Sequence, residues 1–258
     1  MPRFEGILLD IDGVLVSSWR PLPGGPEAVD MLRREEIPFR LITNTTTHTR
    51  NDLAKTLAAA GIDVAPNEIV TAVVAAAAHL RNEHPNARAF VLCDGDARDD
   101  LEGVEIVEDG ADVIVLGGAY EGFDYPTLNH VFRMLMDGAE LVAMHRNLYW
   151  RTDEGWRLDG GAYVAGLEEA TGRRATVCGK PAKAYFASAL SQIGVPPERA
   201  AMVGDDVEND VLAAQAVGLT GVLVRTGKFR REDLERADGR PDVILDSALG
   251  LPNLLATS

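Results

Sequence analysis

The stretch Ile7-Leu8-Leu9-Asp10-Ile11-Asp12-Gly13-Val14 joins an apolar run of strand length to two carboxylates and a glycine. We expect Asp10 and Asp12 where a buried strand gives way to a loop, which is where open α/β sheets place their ligands. Two carboxylates at one strand end repel each other unless a cation or a proton lies between them. The stretch therefore predicts a metal ion, a nucleophile in Asp10 and a proton donor in Asp12.

The composition sets the class of protein. The chain has 258 residues, which suits one large domain or a core with a smaller inserted domain. Its formal net charge of -15 argues against a nucleic-acid or anionic-membrane surface, because both would be repelled. Only two cysteines occur, and no basic-then-apolar leader or membrane-length apolar run is present. These features lead us to expect a cytoplasmic protein.

Strand and helix patterns alternate along the chain, which predicts a doubly wound parallel-sheet α/β core. Four short polar signals are each predicted at or just after the end of an apolar strand. They are Asp10-Ile11-Asp12-Gly13, Leu41-Ile42-Thr43-Asn44, Cys178-Gly179-Lys180-Pro181 and Gly204-Asp205-Asp206-Val207-Glu208-Asn209-Asp210. The last signal enters a helix predicted over 207–217. Because parallel strands end at one edge of their sheet, the four signals are expected to meet there.

The chemistry expected of this meeting point is phosphoryl transfer. Carboxylates bind Mg²⁺ through hard oxygen ligands, while a lysine, a hydroxyl and helix N-terminal amides hold phosphate oxygens. Each signal alone has a plainer interpretation: an aspartate before a helix is often an N-cap, Thr43-Asn44 an ordinary turn, and Lys180 a solvated lysine. The conjunction of all four favours the functional interpretation.

With these motifs the chain resembles the haloacid dehalogenase superfamily of phosphotransferases over nearly its whole length. The resemblance implies that Asp10 attacks phosphorus and becomes an aspartyl phosphate. It implies that Asp12 protonates the leaving alkoxide and later deprotonates the attacking water. An acid at this position is typical of phosphatases and phosphomutases. It also implies Mg²⁺ held by the Asp10 carboxylate, the Asp12 backbone carbonyl and Asp205.

The same resemblance assigns the remaining polar residues of the motifs. Thr43 and Asn44 would bind the transferring phosphoryl group, and Lys180 would pair with Asp10 and with that group. Asp206 and Asp210 would orient Lys180 and the water ligands of the metal.

The long stretch between Asn44 and Lys180 predicts an inserted lid, because a bare crossover needs only about a dozen residues. We assign residues 1–74 and 176–258 to the core and residues 75–175 to a smaller α/β cap. This placement resembles the NagD-like, 4-nitrophenylphosphatase-like branch. The segments 225–229 and 158–163 are most similar to the phospholysine phosphohistidine inorganic pyrophosphate phosphatase subgroup, although Thr45 and Thr46 stand where the branch often has Asn-Ser.

Substrate contacts in the cap are predicted in the segment Met144-His145-Arg146-Asn147, with Arg146 and Asn147 touching the leaving group; the alternative is a solvated loop. The sequence thus predicts a Mg²⁺-dependent phosphatase for a small phosphorylated metabolite, with no nucleic-acid or membrane partner and with a cap through which the chain could dimerise. The alternatives are a phosphomutase or phosphotransferase on the same core and a receiver-like phosphoacceptor.

Overall fold

The structure, a computed structural model, describes residues 4–152 and 155–256. Its strands in chain order are β1 (Gly6–Asp10), β2 (Val16–Ser17), β3 (Arg20–Pro21), β4 (Phe39–Thr43), β5 (Ile69–Thr71), β6 (Arg88–Leu92), β7 (Glu105–Ile106), β8 (Val113–Leu116), β9 (Glu140–Ala143), β10 (Tyr149–Thr152), β11 (Gly155–Leu158), β12 (Thr176–Val177), β13 (Ala200–Gly204), β14 (Thr220–Val224) and β15 (Val243–Leu245).

The α-helices in chain order are α1 (Gly25–Arg34), α2 (Arg50–Ala59), α3 (Ala72–Glu83), α4 (Tyr125–Met136), α5 (Gly160–Thr171), α6 (Lys183–Ile193), α7 (Ala213–Gln215), α8 (Arg231–Arg236) and α9 (Leu251–Ala256). A π-helical segment, Val207–Leu212, precedes α7. Among the described residues, no helix is both long and apolar enough to cross a bilayer.

The chain divides into two compact units. The first consists of Met1–Thr43, Arg50–Val70 and Lys180–Ser258, and the second of Asn44–Thr49 and Thr71–Gly179.

The first unit is built on one sheet with the strand order β15-β14-β13-β1-β4-β5 in the described residues. The pairs from β15 to β4 are parallel. From β1 the chain builds outward to β4 and β5 on one side, and later to β13, β14 and β15 on the other. The point between β1 and β13 is therefore the topological switch point, where ligands of such sheets bind.

The apolar run of β1 explains its central position. All five of its residues are buried, as expected of a parallel strand covered on both faces. Ile7 and Leu9 belong to a core cluster shared with α1, α2 and α9, while α6 packs against β1 and β4. Burial of this strand fixes the position of the carboxylate at its end.

The second unit is a smaller α/β layer. Its parallel sheet has the order β12-β9-β8-β6-β7 in the described residues, and β10 and β11 form an antiparallel hairpin. Separate apolar clusters pack α3 and α4 against this sheet.

The edges of the units differ from the sequence-based division at 74/75 and 175/176. The second unit begins at Thr71 and ends at Gly179, and it includes 44–49. The physical reason is the core of the inserted unit: Ala72 and Val73 at the start of α3, and Cys178 after β12, are buried in its cluster. The observed edges of the inserted unit thus lie about four residues outside the predicted bounds of 75 and 175.

Candidate active site

Two acids meet at the carboxyl edge of the first sheet because β1 and β13 are parallel neighbours. Leu9 lies opposite Val203 in their register, so Asp10 and Asp205 both follow at the same edge. Both acids are buried, with exposed fractions of 4% for Asp10 and 1% for Asp205. Burial of two like charges at one strand edge is costly unless a cation compensates them.

Lys180 supplies part of that compensation. Its Nζ lies 2.7 Å from Asp10 Oδ1 and 2.7 Å from Asp210 Oδ1, and the lysine is almost fully buried. Burial alone would lower the pKa of Lys180, but the charges of Asp10 and Asp210 outweigh it and raise the pKa above its ordinary value. Lys180 is therefore charged and holds the two acids in a fixed arrangement.

The acids also form a cluster of potential metal ligands. One carboxylate oxygen from each of Asp10, Asp205 and Asp210 lies within 4.8 Å of the others. Asp205 Oδ1 is buried and has no hydrogen-bond partner in the described part of the chain. Burial, followed by the charges of Asp10 and Asp210, raises the pKa of Asp205 well above its ordinary value. An unpaired buried carboxylate oxygen among hard oxygen donors fits a divalent cation such as Mg²⁺.

Asp12 occupies a different environment from Asp10. Its side chain reaches solvent, yet desolvation by the surrounding protein raises the pKa of its carboxyl group above its ordinary value. The charges of Lys228 and then Lys180 act in the opposite direction. A carboxyl group with a raised pKa is suited to proton donation, whereas its neighbour in the motif is held in an ion pair.

Asp206 and Asp210, the two acids predicted to support the site, make different contacts. Asp206 caps the π-helical segment: its Oδ1 accepts hydrogen bonds from the backbone N–H groups of Glu208 and Asn209 at 3.0 and 2.9 Å. Asp210 reaches Lys180, and its Oδ2 accepts a hydrogen bond of 3.1 Å from the Asp206 backbone N–H. The Asp206 carboxylate thus serves the local turn, and its backbone amide supports Asp210.

A loop after β14 also enters the site, and no role for it was predicted from the sequence. The Lys228 backbone N–H donates a 2.5 Å hydrogen bond to Asp205 Oδ2, and Thr226 Oγ1 donates one of 2.5 Å to Gly13 O. A Cβ atom at either Gly13 or Gly227 would collide with Asp205 Oδ2. The loop could have been found from its position, since β14 is the neighbour of β13 and ends at the same edge.

Thr43 ends β4 beside this edge and is buried. Its backbone N–H donates a 3.1 Å hydrogen bond to the hydroxyl group of Tyr185 in α6. That hydroxyl lies 2.9 Å from Thr43 O and 2.6 Å from Val70 O. Tyr185 therefore ties the ends of β4 and β5 together, a positioning role that the sequence analysis did not assign.

The other predicted substrate contacts lie in the second unit. Asn44 packs closely against Gly179, where an added Cβ would meet Asn44 Oδ1 at 2.5 Å. Arg146 makes a two-pronged ion pair with the buried Glu168, at 3.1 and 2.7 Å. Its guanidinium group is thus engaged within the unit. The Asn147 backbone N–H donates a 3.2 Å hydrogen bond to His145 Nδ1, and Asn147 O accepts one of 3.0 Å from the Gly161 N–H.

Comparison with known proteins shows which family this chain belongs to. A family model described as haloacid dehalogenase-like hydrolase matches residues 7–107, and a second, described as HAD-hydrolase-like, matches residues 177–251. Human haloacid dehalogenase-like hydrolase domain-containing protein 2 is 39% identical over 94% of this chain and 92% of its own length. Human phospholysine phosphohistidine inorganic pyrophosphate phosphatase is 34% identical, over 97% and 94%.

Solved structures that are similar to this chain indicate the same family as the sequence relatives do. The 4-nitrophenylphosphatase of Thermotoga maritima superimposes with a TM-score of 0.91 at 30% identity, covering 97% of both chains. NagD from E. coli gives a TM-score of 0.86 at 28% identity, covering 95% of this chain and 97% of its own. The chain belongs to the haloacid dehalogenase-like hydrolases and is a phosphatase of their NagD-like branch.

Proposed function

We propose that this phosphatase removes phosphate from a small phosphorylated metabolite in a Mg²⁺-dependent reaction that passes through an aspartyl phosphate on Asp10. The observation that carries the proposal is the buried arrangement of Asp10, Lys180, Asp205 and Asp210 at the switch point of the sheet. It combines a nucleophile, a fixed cation and an acidic cluster with an unpaired oxygen.

Two contacts that orient the Asp10 carboxylate support its proposed role as the nucleophile. Its Oδ1 lies 2.7 Å from Lys180 Nζ and accepts a 2.9 Å hydrogen bond from the Ile11 N–H. Both of these contacts fall on Oδ1, so Oδ2 is the oxygen assigned to the attack. As Oδ2 bonds to phosphorus, the bond between phosphorus and the leaving oxygen breaks, and the phosphoryl group is transferred to Asp10.

Asp12 moves the protons of the reaction. In the first step its carboxyl group gives a proton to the leaving alkoxide, which departs as an alcohol. In the second step its carboxylate takes a proton from water, the water oxygen bonds to phosphorus, and the bond to Asp10 breaks. Inorganic phosphate leaves, Asp10 is regenerated, and Asp12 is again protonated.

The acidic cluster would hold the cation through the Asp10 carboxylate, the Asp12 backbone carbonyl and Asp205. When bound, Mg²⁺ neutralises negative charge that builds up on the phosphoryl oxygens. Thr43, Asn44 and Lys180 are proposed to bind the phosphoryl oxygens, and the segment of Arg146 and Asn147 the leaving group.

The test is hydrolysis of 4-nitrophenyl phosphate in Mg²⁺ by Asp10→Asn and by a control, Asp30→Asn, which removes an exposed carboxylate from α1. The expected result is no measurable turnover for Asp10→Asn and wild-type turnover for Asp30→Asn. Substantial turnover by Asp10→Asn would reject the assignment of the nucleophile. Phosphate release from a panel of phosphorylated metabolites would then identify the substrate.

A further inference from the structure

The loop after β14 places a second lysine at the site. The Lys228 backbone N–H donates its hydrogen bond to Asp205 Oδ2. Thr226 ties the same loop to Gly13, next to the motif of Asp10 and Asp12. The backbone of Lys228 is therefore fixed beside a carboxylate of the acidic cluster, and its side chain starts from that point.

Lys228 differs from Lys180 in what its ammonium group contacts. Lys180 is buried between Asp10 and Asp210. Lys228 is exposed and makes no ion pair within 4.0 Å with any residue that the structure describes. Desolvation opposes its charge, but Asp205 and then Asp10 outweigh that effect and raise the pKa of Lys228. The ammonium group thus lies in the electrostatic field of the site without a protein partner of its own.

The charge balance of the site indicates which ligand group would pair with the Lys228 ammonium group. Asp12 is protonated at the first step, so three carboxylates, from Asp10, Asp205 and Asp210, face two ammonium groups. A divalent cation then brings the formal charge of the site to +1. Without Lys228, an incoming phosphate dianion would meet a site with no net positive charge. A lysine reachable from solvent is able to follow the ligand, since its ammonium group is a compact charge on a flexible stem.

We propose that Lys228 binds the phosphoryl group of the substrate, as a second cation in addition to Lys180, which is buried and paired with Asp10 and Asp210. The inference rests on the proposed function and adds a substrate-binding residue to it. The replacement Lys228→Met removes the charge but keeps the backbone N–H that holds Asp205. The occupancy of the cation site should therefore be preserved while phosphate affinity falls.

The experiment measures binding of inorganic phosphate by calorimetry in saturating Mg²⁺, together with kcat and KM for 4-nitrophenyl phosphate. Lys228→Met is expected to weaken phosphate binding and raise KM by about 10- to 100-fold, as for loss of a hydrogen bond to a charged group. Lys228→Arg keeps the charge and is expected to restore most of the affinity. The Mg²⁺ concentration for half-maximal activity is expected to stay the same in both variants.

The matched control is Arg225→Gln, which removes a cation from the same loop. Arg225 is exposed and pairs with Asp246 at 3.1 Å. Its loss should change phosphate binding by no more than about fivefold. Thermal unfolding followed by circular dichroism verifies that each variant is folded.

Wild-type phosphate affinity and KM in a folded Lys228→Met variant would overturn the inference. So would an equal loss in Arg225→Gln, which would indicate a general effect of charge. If the wild-type protein hydrolyses nothing but Lys228→Met still loses phosphate binding, the proposed function fails and the inference stands. Absence of both phosphate binding and hydrolysis in the wild-type protein would overturn both.

Discussion

At the residue scale, the site depends on carboxylates whose environments differ. Asp10 is buried in an ion pair with Lys180, whereas Asp12 reaches solvent and has a raised pKa. These environments suit the two neighbouring acids to the separate roles proposed for them, one as a nucleophile and one as a proton donor. Gly13, which follows this motif, and Gly227, in the loop after β14, both lie so close to Asp205 that neither position has room for a side chain.

Replacement of Asp12 tests the proton transfer. Because desolvation raises the pKa of Asp12, its acid form persists to higher pH than that of an ordinary carboxyl group, which is the form needed at the first step. Asp12→Asn is expected to lower kcat at least about 100-fold, the usual scale of general acid–base catalysis. Inhibition by inorganic phosphate should stay close to that of the wild type. A variant in which only the Mg²⁺ requirement changed would show that Asp12 serves the cation and not the proton.

Replacement of Gly227 tests the close approach to Asp205. In Gly227→Ala the added Cβ would collide with Asp205 Oδ2 and Gly13 Cα, so the carboxylate must move. We expect the Mg²⁺ concentration for half-maximal activity to rise about 10-fold or more, as for other losses of support around a metal ligand.

The control for this variant is Gly194→Ala, which has a similar left-handed backbone but no neighbour within 4 Å of the added Cβ. Both variants should lose about 1–2 kcal/mol of stability from the backbone strain. Only Gly227→Ala should alter the Mg²⁺ dependence. Identical Mg²⁺ curves for the two variants would show that the strain, and not the contact with Asp205, controls the effect.

At the element scale, the ends of strands position the acids of the site, and the start of the helical segment after β13 positions Asp206 and Asp210. The segment after β13 was predicted to be a regular helix over 207–217, but its first part, Val207–Leu212, is π-helical. Asp206 caps this segment, and Asp210 within it reaches Lys180. The wider turn is a feature that apolar periodicity does not reveal.

Asp206 can be tested as a cap separately from any role at Lys180. Asp206→Ala removes two hydrogen bonds to backbone N–H groups and should lower the free energy of unfolding by about 0.5–2 kcal/mol. Asp206→Ser retains a capping oxygen and should recover most of that loss, with turnover near that of the wild type. If Asp206→Ser lost turnover as strongly as Asp206→Ala, its carboxylate would have a direct part in the site.

Much of this element-scale arrangement could be predicted from the sequence, because an apolar run followed by acidic residues is a recognisable pattern. The positions of Asp10 and Asp205 follow from apolar runs and from the convergence of parallel strands. The same argument was wrong for Lys180, which follows β12 of the second unit's sheet and reaches Asp10 through an ion pair. Lys228 could not be assigned in the same way, because a lysine in a polar loop carries no periodic signal. Its position depends on the hydrogen bond to Asp205, which is a tertiary contact.

At the scale of the whole molecule, two α/β units alternate along one chain, and each has its own sheet and core. The insertion was predictable from the length between Asn44 and Lys180. Its edges were not, because the assignment of Thr71 and Gly179 depends on which core buries the adjacent residues. The acidic cluster is expected to couple the stability of the molecule to pH and to the proposed cation.

Stability should therefore depend on pH and Mg²⁺ together. Burial raises the pKa of Asp210 from 3.8 to about 7; the charge of Lys180 opposes this, and those of Asp10 and Asp206 reinforce it. The folded state thus binds its proton more tightly than the unfolded chain. In the metal-free protein the resulting stability is present below pH 3.8 and is lost as pH rises through about 7.

Under the proposed function, Mg²⁺ is expected to compete with protons for these carboxylates and to replace the lost stabilisation. The increase in Tm on addition of Mg²⁺ should be larger at about pH 8 than at about pH 6, since the carboxylates must be deprotonated to bind a cation. Thermal unfolding scans at both values check this, with Asp205→Asn as a control in which the Mg²⁺ effect is much reduced. An increase independent of pH would mean that Mg²⁺ binds elsewhere.

The most direct test of the whole account is chemical trapping of the intermediate during turnover of 4-nitrophenyl phosphate. Acid quenching followed by borohydride reduction converts an aspartyl phosphate to homoserine, which mass spectrometry locates in the sequence. The account predicts homoserine at residue 10 and nowhere else, and none in Asp10→Asn. Homoserine at another aspartate, or full turnover by a protein without Asp10, would contradict it.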